Sequence, residues 1–228
     1  KVFDYTLYVT TWDRHRMMNT IHRFIEVFDT TPTLEIATGT GPSHCYRLNP
    51  DFANQEQFID PEIYQSIESV FNRMLEGPDW YKQRGKAHKE TLLLWGPPGT
   101  GKSTLIRHFA AKFNLDLLVI RASNYNRTIS MSIADRSKLK IILIEDVDSE
   151  QELCIGESTN ISFSESQFSY DEFINWLDGV YPLDNVIIVM TTNHKEKLRQ
   201  NAIRNGRVDR RIYVPYLTND QLTQYVGE

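Results

Sequence analysis

The hydrophobic and polar positions of this chain change rhythm near residue 90. Before that point, apolar residues recur mainly at helical spacing. Met17, Ile21, Phe24 or Ile25, and Phe28 predict a helix that Asp13 would cap, after a β-branched and aromatic stretch, "VFDYTLYVTT", that suits a strand. "TLEIATGTGPSHCYRL" reads as two extended segments around a Gly/Pro/Ser turn, and hence as a hairpin. Gly39 and Gly41 belong to that turn, since no Lys follows them and no helix opens there. "NPDFANQEQFIDP" is polar and bounded by prolines, as a linker would be. Pro61 then suits the first turn of a helix whose apolar face is Ile63, Ile67, Val70 or Phe71, and Met74, and Gly77-Pro78 ends it. From residue 91 the rhythm becomes short apolar runs separated by helix-length segments. "TLLLWG", "LDLLVIRA", "KIILIED" and "NVIIVMTTN" predict strands of a parallel sheet covered by helices on both faces. The polar stretch 149–169 reads as an exposed loop, and "LTNDQLTQYVGE" starts another helix.

The expected fold is therefore α/β. The expected organisation is a small α+β piece over residues 1–58, a helix and linker over 59–90, the main α/β unit over 91–218, and the start of a further helical element over 219–228. Composition adds bounds. The chain has 228 residues, 40% hydrophobic and 24% charged, enough for one large domain with a smaller attachment. A net charge of -5 removes the case for a surface that is basic throughout, so nucleic-acid binding has no support from charge. Two cysteines, Cys45 and Cys154, stand far apart and match no metal spacing, and the six histidines are scattered. They indicate thiols in a cytoplasmic or other reducing soluble compartment. No apolar run is long enough to cross a bilayer. The chain starts at Lys1 without a Met, which leaves room for an upstream segment, an anchor included.

Chemistry concentrates at the ends of the predicted strands. "GPPGTGKST", Gly96 to Thr104, fits the phosphate-loop pattern, follows a strand and opens a helix, "STLIRHFAAKF". Gly99 and Gly101 allow backbone N–H groups to turn onto phosphate oxygens, with Pro97, Pro98 and Thr100 completing the loop. Lys102 is expected to reach the outer phosphates, Ser103 to ligate magnesium, and Thr104 to lie near the α-phosphate. ATP and Mg2+ are thus the expected ligands. A second apolar strand, "IILI", runs into Glu145 and Asp146. By position, Glu145 takes the metal place and Asp146 the water-orienting place. Asp is one methylene, roughly 1.5 Å, shorter than Glu, so Asp146 needs a closer backbone or a bridging water. Asp148, on the following turn, is a candidate partner for an arginine of a neighbouring subunit. A third strand ends in Asn193, whose amide can hold a water or touch the γ-phosphate; Thr191 and Thr192 are weaker candidates. "LRQNAIRNGRVDRRIYV" holds Arg199, Arg204, Arg207, Arg210 and Arg211, which read as a solvated surface, a nucleic-acid contact or a source of arginine fingers acting in trans.

Together "LLLWGPPGTGKST", "IILIEDVD", "NWLDGV" and "MTTNHKEKLRQNAIRNGRVDRRI" resemble the AAA family of AAA+ ATPases. The Glu-Asp order and "FINWLDGVYPLDNVIIVMTTNHKEKL" are most similar to the branch of the mitochondrial chaperone that translocates the Rieske iron–sulfur protein, with its bacterial and viral relatives. "DWYKQRGKAHKE", leading into the phosphate loop, is also like that branch. The resemblance implies the P-loop parallel sheet of the AAA+ large subdomain, magnesium-dependent ATPase activity, a homo-oligomeric ring of about six or seven subunits, and a protein client. It places Arg207 at the main finger position and Arg210 where many members carry a second arginine, and it makes Arg204 a cap of the preceding helix. A nucleic-acid-associated motor or loader is the alternative the same fold serves. Three departures stand out. Asn205 replaces the proline of the usual turn, the helical lid is largely absent, and the stretch from Ser123 to Lys140 lacks an aromatic-hydrophobic-Gly pore loop.

Overall fold

The computed structural model describes residues 32–37, 44–121, 138–149, 174–175, 177–178 and 183–226. All of them fall in the compact unit Pro32–Glu228; the other unit, Lys1–Thr31, lies outside the described residues, and with it the strand and helix expected there. So do the loop expected over 149–169, apart from Ser149, and most of the 123–140 stretch.

Among the described residues, seven strands form one sheet. They are β1 (Thr33–Ala37), β2 (His44–Arg47), β3 (Lys89–Trp95), β4 (Asp116–Arg121), β5 (Lys140–Glu145), β6 (Val186–Thr192) and β7 (Arg210–Tyr213), in the order β2-β1-β4-β5-β6-β3-β7. Every pairing is parallel except β1 with β2, the expected hairpin. That hairpin is not part of a separate piece ending at residue 58. Leu34 lies level with Leu117 and Ala37 with Ile120, so β1 extends the central sheet. The apolar pattern shows why: β4 is buried along Leu117 to Ile120 and needs a neighbour on its outer edge to pair its backbone groups.

Four helices are described: α1 (Pro61–Leu75), α2 (Asp79–Lys82), α3 (Lys102–Lys112) and α4 (Asn219–Val226). α1 begins as expected, with Pro61 in its first turn and the Asp60 side chain accepting from the Glu62 N–H at 2.7 Å. Alternate residues of each strand face opposite sides. Leu92, Leu94, Ile141, Leu143, Ile187 and Val189 meet Ile67, Phe71 and Met74 of α1 and Ile106 and Phe109 of α3. Phe71 stacks on Phe109 with ring centroids 5.0 Å apart. The intervening residues Leu93, Ile142, Ile144, Ile188 and Met190 meet Ile174, Leu177 and the 198–208 segment on the other face. β6 is buried along its whole length, as an interior strand of a doubly covered sheet must be.

The expected linker is instead packed structure. Residues Pro50–Asn54 form a 3-10 turn against α3, and His108 Nδ1 lies 2.8 Å from the Phe52 carbonyl oxygen. His108 Nε2 lies 3.0 Å from the Tyr64 hydroxyl, which accepts from Lys112 Nζ at 2.7 Å. Burial pulls the His108 pKa down, and Lys112 adds to that, while the Phe52 carbonyl and Glu68 oppose it. A base held below its unfolded pKa binds its proton more readily in the unfolded chain. Its stabilising contribution is complete above about pH 6.5 and is lost as pH falls from there through the folded value. The urea midpoint of the native protein should therefore drop on acidification from about pH 7 to 5, and His108→Gln should flatten that dependence.

Gly96 closes β3 at φ 152°, and a Cβ there would stand 2.1 Å from the Val214 carbonyl oxygen. The Val214 N–H in turn donates to the Trp95 carbonyl at 2.8 Å, so this close approach fixes how the chain beyond β7 lies on the phosphate loop. Gly96→Ala should cost on the order of 2 kcal/mol or more, read as a lowered thermal midpoint.

Candidate functional site: a phosphate loop facing two strand ends

The phosphate loop leaves β3 immediately beside the ends of β6 and β5. Trp95 is level with Thr192, and Met190 with Ile144, so three parallel strands finish at one edge of the sheet. Gly99 and Gly101 adopt φ 77° and 79°, in the left-handed region that glycine reaches without strain, and nothing within 4 Å would meet an added Cβ at either. Gly101 is the N-cap of α3 and makes no side-chain capping bond, so the first N–H groups of this helix face the loop's interior uncapped. The Thr100 hydroxyl donates to the Pro97 carbonyl at 3.1 Å and holds the loop's curve.

Lys102 is buried, and its ammonium donates to the Gly96 carbonyl at 2.9 Å, the Pro97 carbonyl at 2.7 Å and Asn193 Oδ1 at 2.9 Å. Two residues expected at one site from separate motifs are thus in direct contact. Burial pulls the Lys102 pKa below the ordinary lysine value, with Asp146 and Asp148 acting in the opposite direction. Three oxygens around one ammonium form a cradle that can be exchanged for phosphate oxygens.

The acidic pair divides by strand parity. Glu145 shares its parity with Ile141 and Leu143, whose side chains meet α1 and α3, and its Oε1 lies 4.0 Å from the Arg107 guanidinium on α3. It therefore faces the helix that carries Ser103. Asp146 leaves the strand at φ 52°, its side chain exposed and its N–H donating to Thr191 Oγ1 at 3.3 Å. The left-handed turn re-aims the shorter carboxylate instead of continuing the strand. The residues fit magnesium as a phosphate-associated ion: one hydroxyl and one carboxylate on one face, with no cluster of three or more His, Cys, Asp or Glu among the described residues.

Asp148 has partners within its own chain. Its Oδ1 accepts from the Thr192 hydroxyl at 2.7 Å and from the Asn193 N–H at 3.2 Å, and the Thr192 oxygen accepts in turn from the His194 N–H at 3.0 Å. Asp148 clamps the β6 tip within its own chain.

The arginines also differ from expectation. Arg207 is 5% exposed. Its Nε and NH2 each donate to one oxygen of Asp178 at 2.6 Å, and its NH1 donates to Asn201 O and Oδ1. A bidentate, charge-assisted pair of this kind is among the strongest polar contacts a protein makes, which is why this guanidinium sits inside the fold. The bonds from Arg207 hold the Asp178 carboxyl below the usual aspartate range. Arg210 reaches back to α1, donating to Ser66 O, Ser66 Oγ and Ser69 Oγ. Arg211 donates to Ile203 O and Asn205 Oδ1, and Gly206 at φ 93° makes the turn without the missing proline. Arg204, expected as a helix cap, is instead directed outward, 58% of its side chain exposed.

A model of the "ATPase family associated with various cellular activities (AAA)" matches residues 92–216, more than half of the chain. The chain belongs to the AAA family. Within it, the chain is 30% identical over 211 residues to "Probable mitochondrial chaperone BCS1-A" of Dictyostelium discoideum, covering 84% of this chain and 50% of that protein. It is 30% identical over 174 residues to "Probable mitochondrial chaperone bcs1" of Schizosaccharomyces pombe, covering 73% and 37%. It is 34% identical over 166 residues to an AAA-ATPase of Arabidopsis thaliana, covering 70% and 34%. The chain thus spans a third to a half of the length of these relatives.

Two features of this AAA site were not foreseen. Asp178 lies in the quoted "NWLDGV" but carried no role; the signal was five arginines in residues 199–211 with a single acid, Asp209, among them, which called for an acid from elsewhere. A cavity of about 320 Å³, lined by residues that include Gln55, Gln57, Tyr64 and His108, opens beside the middle of α3 rather than at the phosphate loop. Asp148→Ala should lower the hydrolysis rate by about tenfold or more through the loosened Asn193 tip, with nucleotide affinity within about threefold of native. Single-turnover kinetics beside equilibrium titration separates the two.

Proposed function

We propose that this AAA chain binds ATP with magnesium at Gly96–Thr104, hydrolyses it, and does so as a subunit of a homo-oligomeric ring that remodels or translocates a protein client. The observation that carries the ATPase reading is the direct Lys102–Asn193 contact at 2.9 Å. It joins the phosphate loop to the tip of a second strand, with the acidic end of a third alongside.

Ser103, with Glu145 on the same face, would hold magnesium, which would supply positive charge to the bound phosphates. Lys102 exchanges the carbonyls of Gly96 and Pro97 and the amide of Asn193 for phosphate oxygens. That exchange frees Asn193 Oδ1 to accept from a water poised near the γ-phosphate. Asp146 takes that water's proton as its oxygen bonds to the γ-phosphorus; the bond to the β–γ bridging oxygen breaks and ADP leaves with that oxygen. The order Glu-Asp is workable because the turn at Asp146 displaces its backbone from the strand axis. The nucleic-acid alternative loses support, because Arg207 and Arg210 are held within the fold. The protein-client reading draws on the chaperone relatives.

The assignment predicts distinct phenotypes. Asp146→Asn should retain ATP binding and lose about a hundredfold or more in hydrolysis. Glu145→Gln should raise the magnesium needed for half-maximal activity roughly tenfold. Titrating magnesium in the ATPase assay distinguishes them: swapped phenotypes would reverse the two roles, and an inactive native protein would remove the ATPase reading.

A further inference from the structure

Ser103 and Arg107 stand four residues apart on α3, one above the other on a single face of the helix. That face meets the end of β5, where Glu145 Oε1 lies 4.0 Å from Arg107 NH2. Arg107 sits one turn, about 5.4 Å, further along α3 than Ser103, and so further from the phosphate loop. It is placed to act on a bound nucleotide through Glu145 rather than by touching it.

Three observations set this pair apart. The first is its looseness. Arg207 with Asp178, Arg73 with Glu90 and Lys112 with Glu68 close to 2.6–2.7 Å, as charge-assisted hydrogen bonds, whereas Arg107 and Glu145 stop at 4.0 Å. The second is that Arg107 Nε is buried and has no hydrogen-bond partner among the described residues. Buried donors are rarely left so, and this guanidinium holds donor capacity that its present contacts do not use. The third is the charge around it. Asp146 and Asp148 follow Glu145 directly, and the Lys102 ammonium is shared among the Gly96 and Pro97 carbonyls and Asn193. Among the described side chains, Arg107 is the cation paired with Glu145. A triphosphate brought to this helix without a counter-ion would meet the Glu145 carboxylate as a like charge.

We propose that Arg107 is a built-in counter-charge for Glu145, which neutralises the carboxylate while no metal is held there and leaves it available when one is. The 4.0 Å approach serves both conditions. It is too long to commit the carboxylate, and a movement on the order of 1 Å closes it to a charge-assisted bond. Arg107 is therefore a positioning residue that sets how strongly nucleotide binding depends on magnesium. The proposal rests on the assignment of ATP and magnesium to Gly96–Thr104 and Glu145 made above, and not on hydrolysis or on assembly.

Arg107→Gln, Arg107→Lys, Glu145→Gln and the double variant Arg107→Gln with Glu145→Gln test it. The affinity of each full chain for the non-hydrolysable β,γ-imido analogue of ATP is measured by equilibrium titration, once in EDTA and once in saturating magnesium. Arg107→Gln should weaken binding in EDTA about tenfold and leave binding in magnesium within about threefold of native. The thermodynamic cycle then requires the bound analogue to take up magnesium roughly tenfold more tightly. Arg107→Lys keeps the charge and should stay within about threefold of native in both conditions. In the Glu145→Gln background, adding Arg107→Gln should change the affinity in EDTA by less than about twofold, because the carboxylate it answers is gone. Equal weakening with and without magnesium would indicate a merely structural role and overturn the proposal. So would an affinity in EDTA that Arg107→Gln leaves unchanged, or an effect that persists without Glu145. A native protein that binds the analogue but does not hydrolyse ATP would remove the ATPase reading and leave this proposal to stand on the titrations. A native protein that binds it in neither condition would overturn the nucleotide assignment and the proposal together.

Discussion

Every side chain of the candidate site depends on one constraint: β3, β6 and β5 run parallel and end level. Parallel pairing forces the connecting chain to cross the sheet's faces, and it gathers three strand tips at one edge. A one-residue slip of β5 would send Glu145 to the face opposite α3 and bury the charge against Ile174 and Leu177. The apolar alternation prevents that slip, because it would also expose Ile141 and Leu143, which are fully buried. Hydrophobic burial thus sets the geometry, and the polar contacts refine it. Lys102 ties the loop to β6, Asp148 ties β6 to the turn after β5, and Thr191 holds the backbone of Asp146.

The sheet's two faces divide the labour. The face covered by α1 and α3 carries the phosphate loop's helix, Ser103 and Glu145. The opposite face carries the 174–178 and 198–208 segments and, near the start of β3, two charged side chains held by backbone groups. There Lys89 donates to the Leu177 carbonyl at 2.7 Å, and the Asp209 carboxylate accepts from the Thr91 N–H at 2.8 Å. Bonds from a charged side chain to backbone groups of this kind fix where the segments lie against one another. Here they fix the start of the arginine-bearing strand against the start of β3.

Much of this was legible from periodicity and local chemistry. Strands β3 to β6, α1 and the phosphate loop each carried agreeing signals of pattern, turn residues and spacing, whereas the short β7 carried none. What was missed depended on contacts distant in sequence. Residues 33–47 read correctly as a hairpin, but nothing local reveals that β1 pairs with β4 some eighty residues later. Arg207 matched a pattern position for an exposed finger, but whether an arginine faces solvent depends on whether an acid meets it, and Asp178 lies 29 residues upstream. The intrachain partners of Asp148 were similarly hidden until the β6 tip was placed beside it.

The central claim is that hydrolysis belongs to an assembly of these subunits and not to one alone. Phosphate release per subunit, measured against protein concentration with sedimentation velocity at the same concentrations, tests it most directly. The account predicts a rate per subunit that rises in step with the assembled fraction. A monomeric fraction hydrolysing ATP as fast per subunit as the assembly would contradict it.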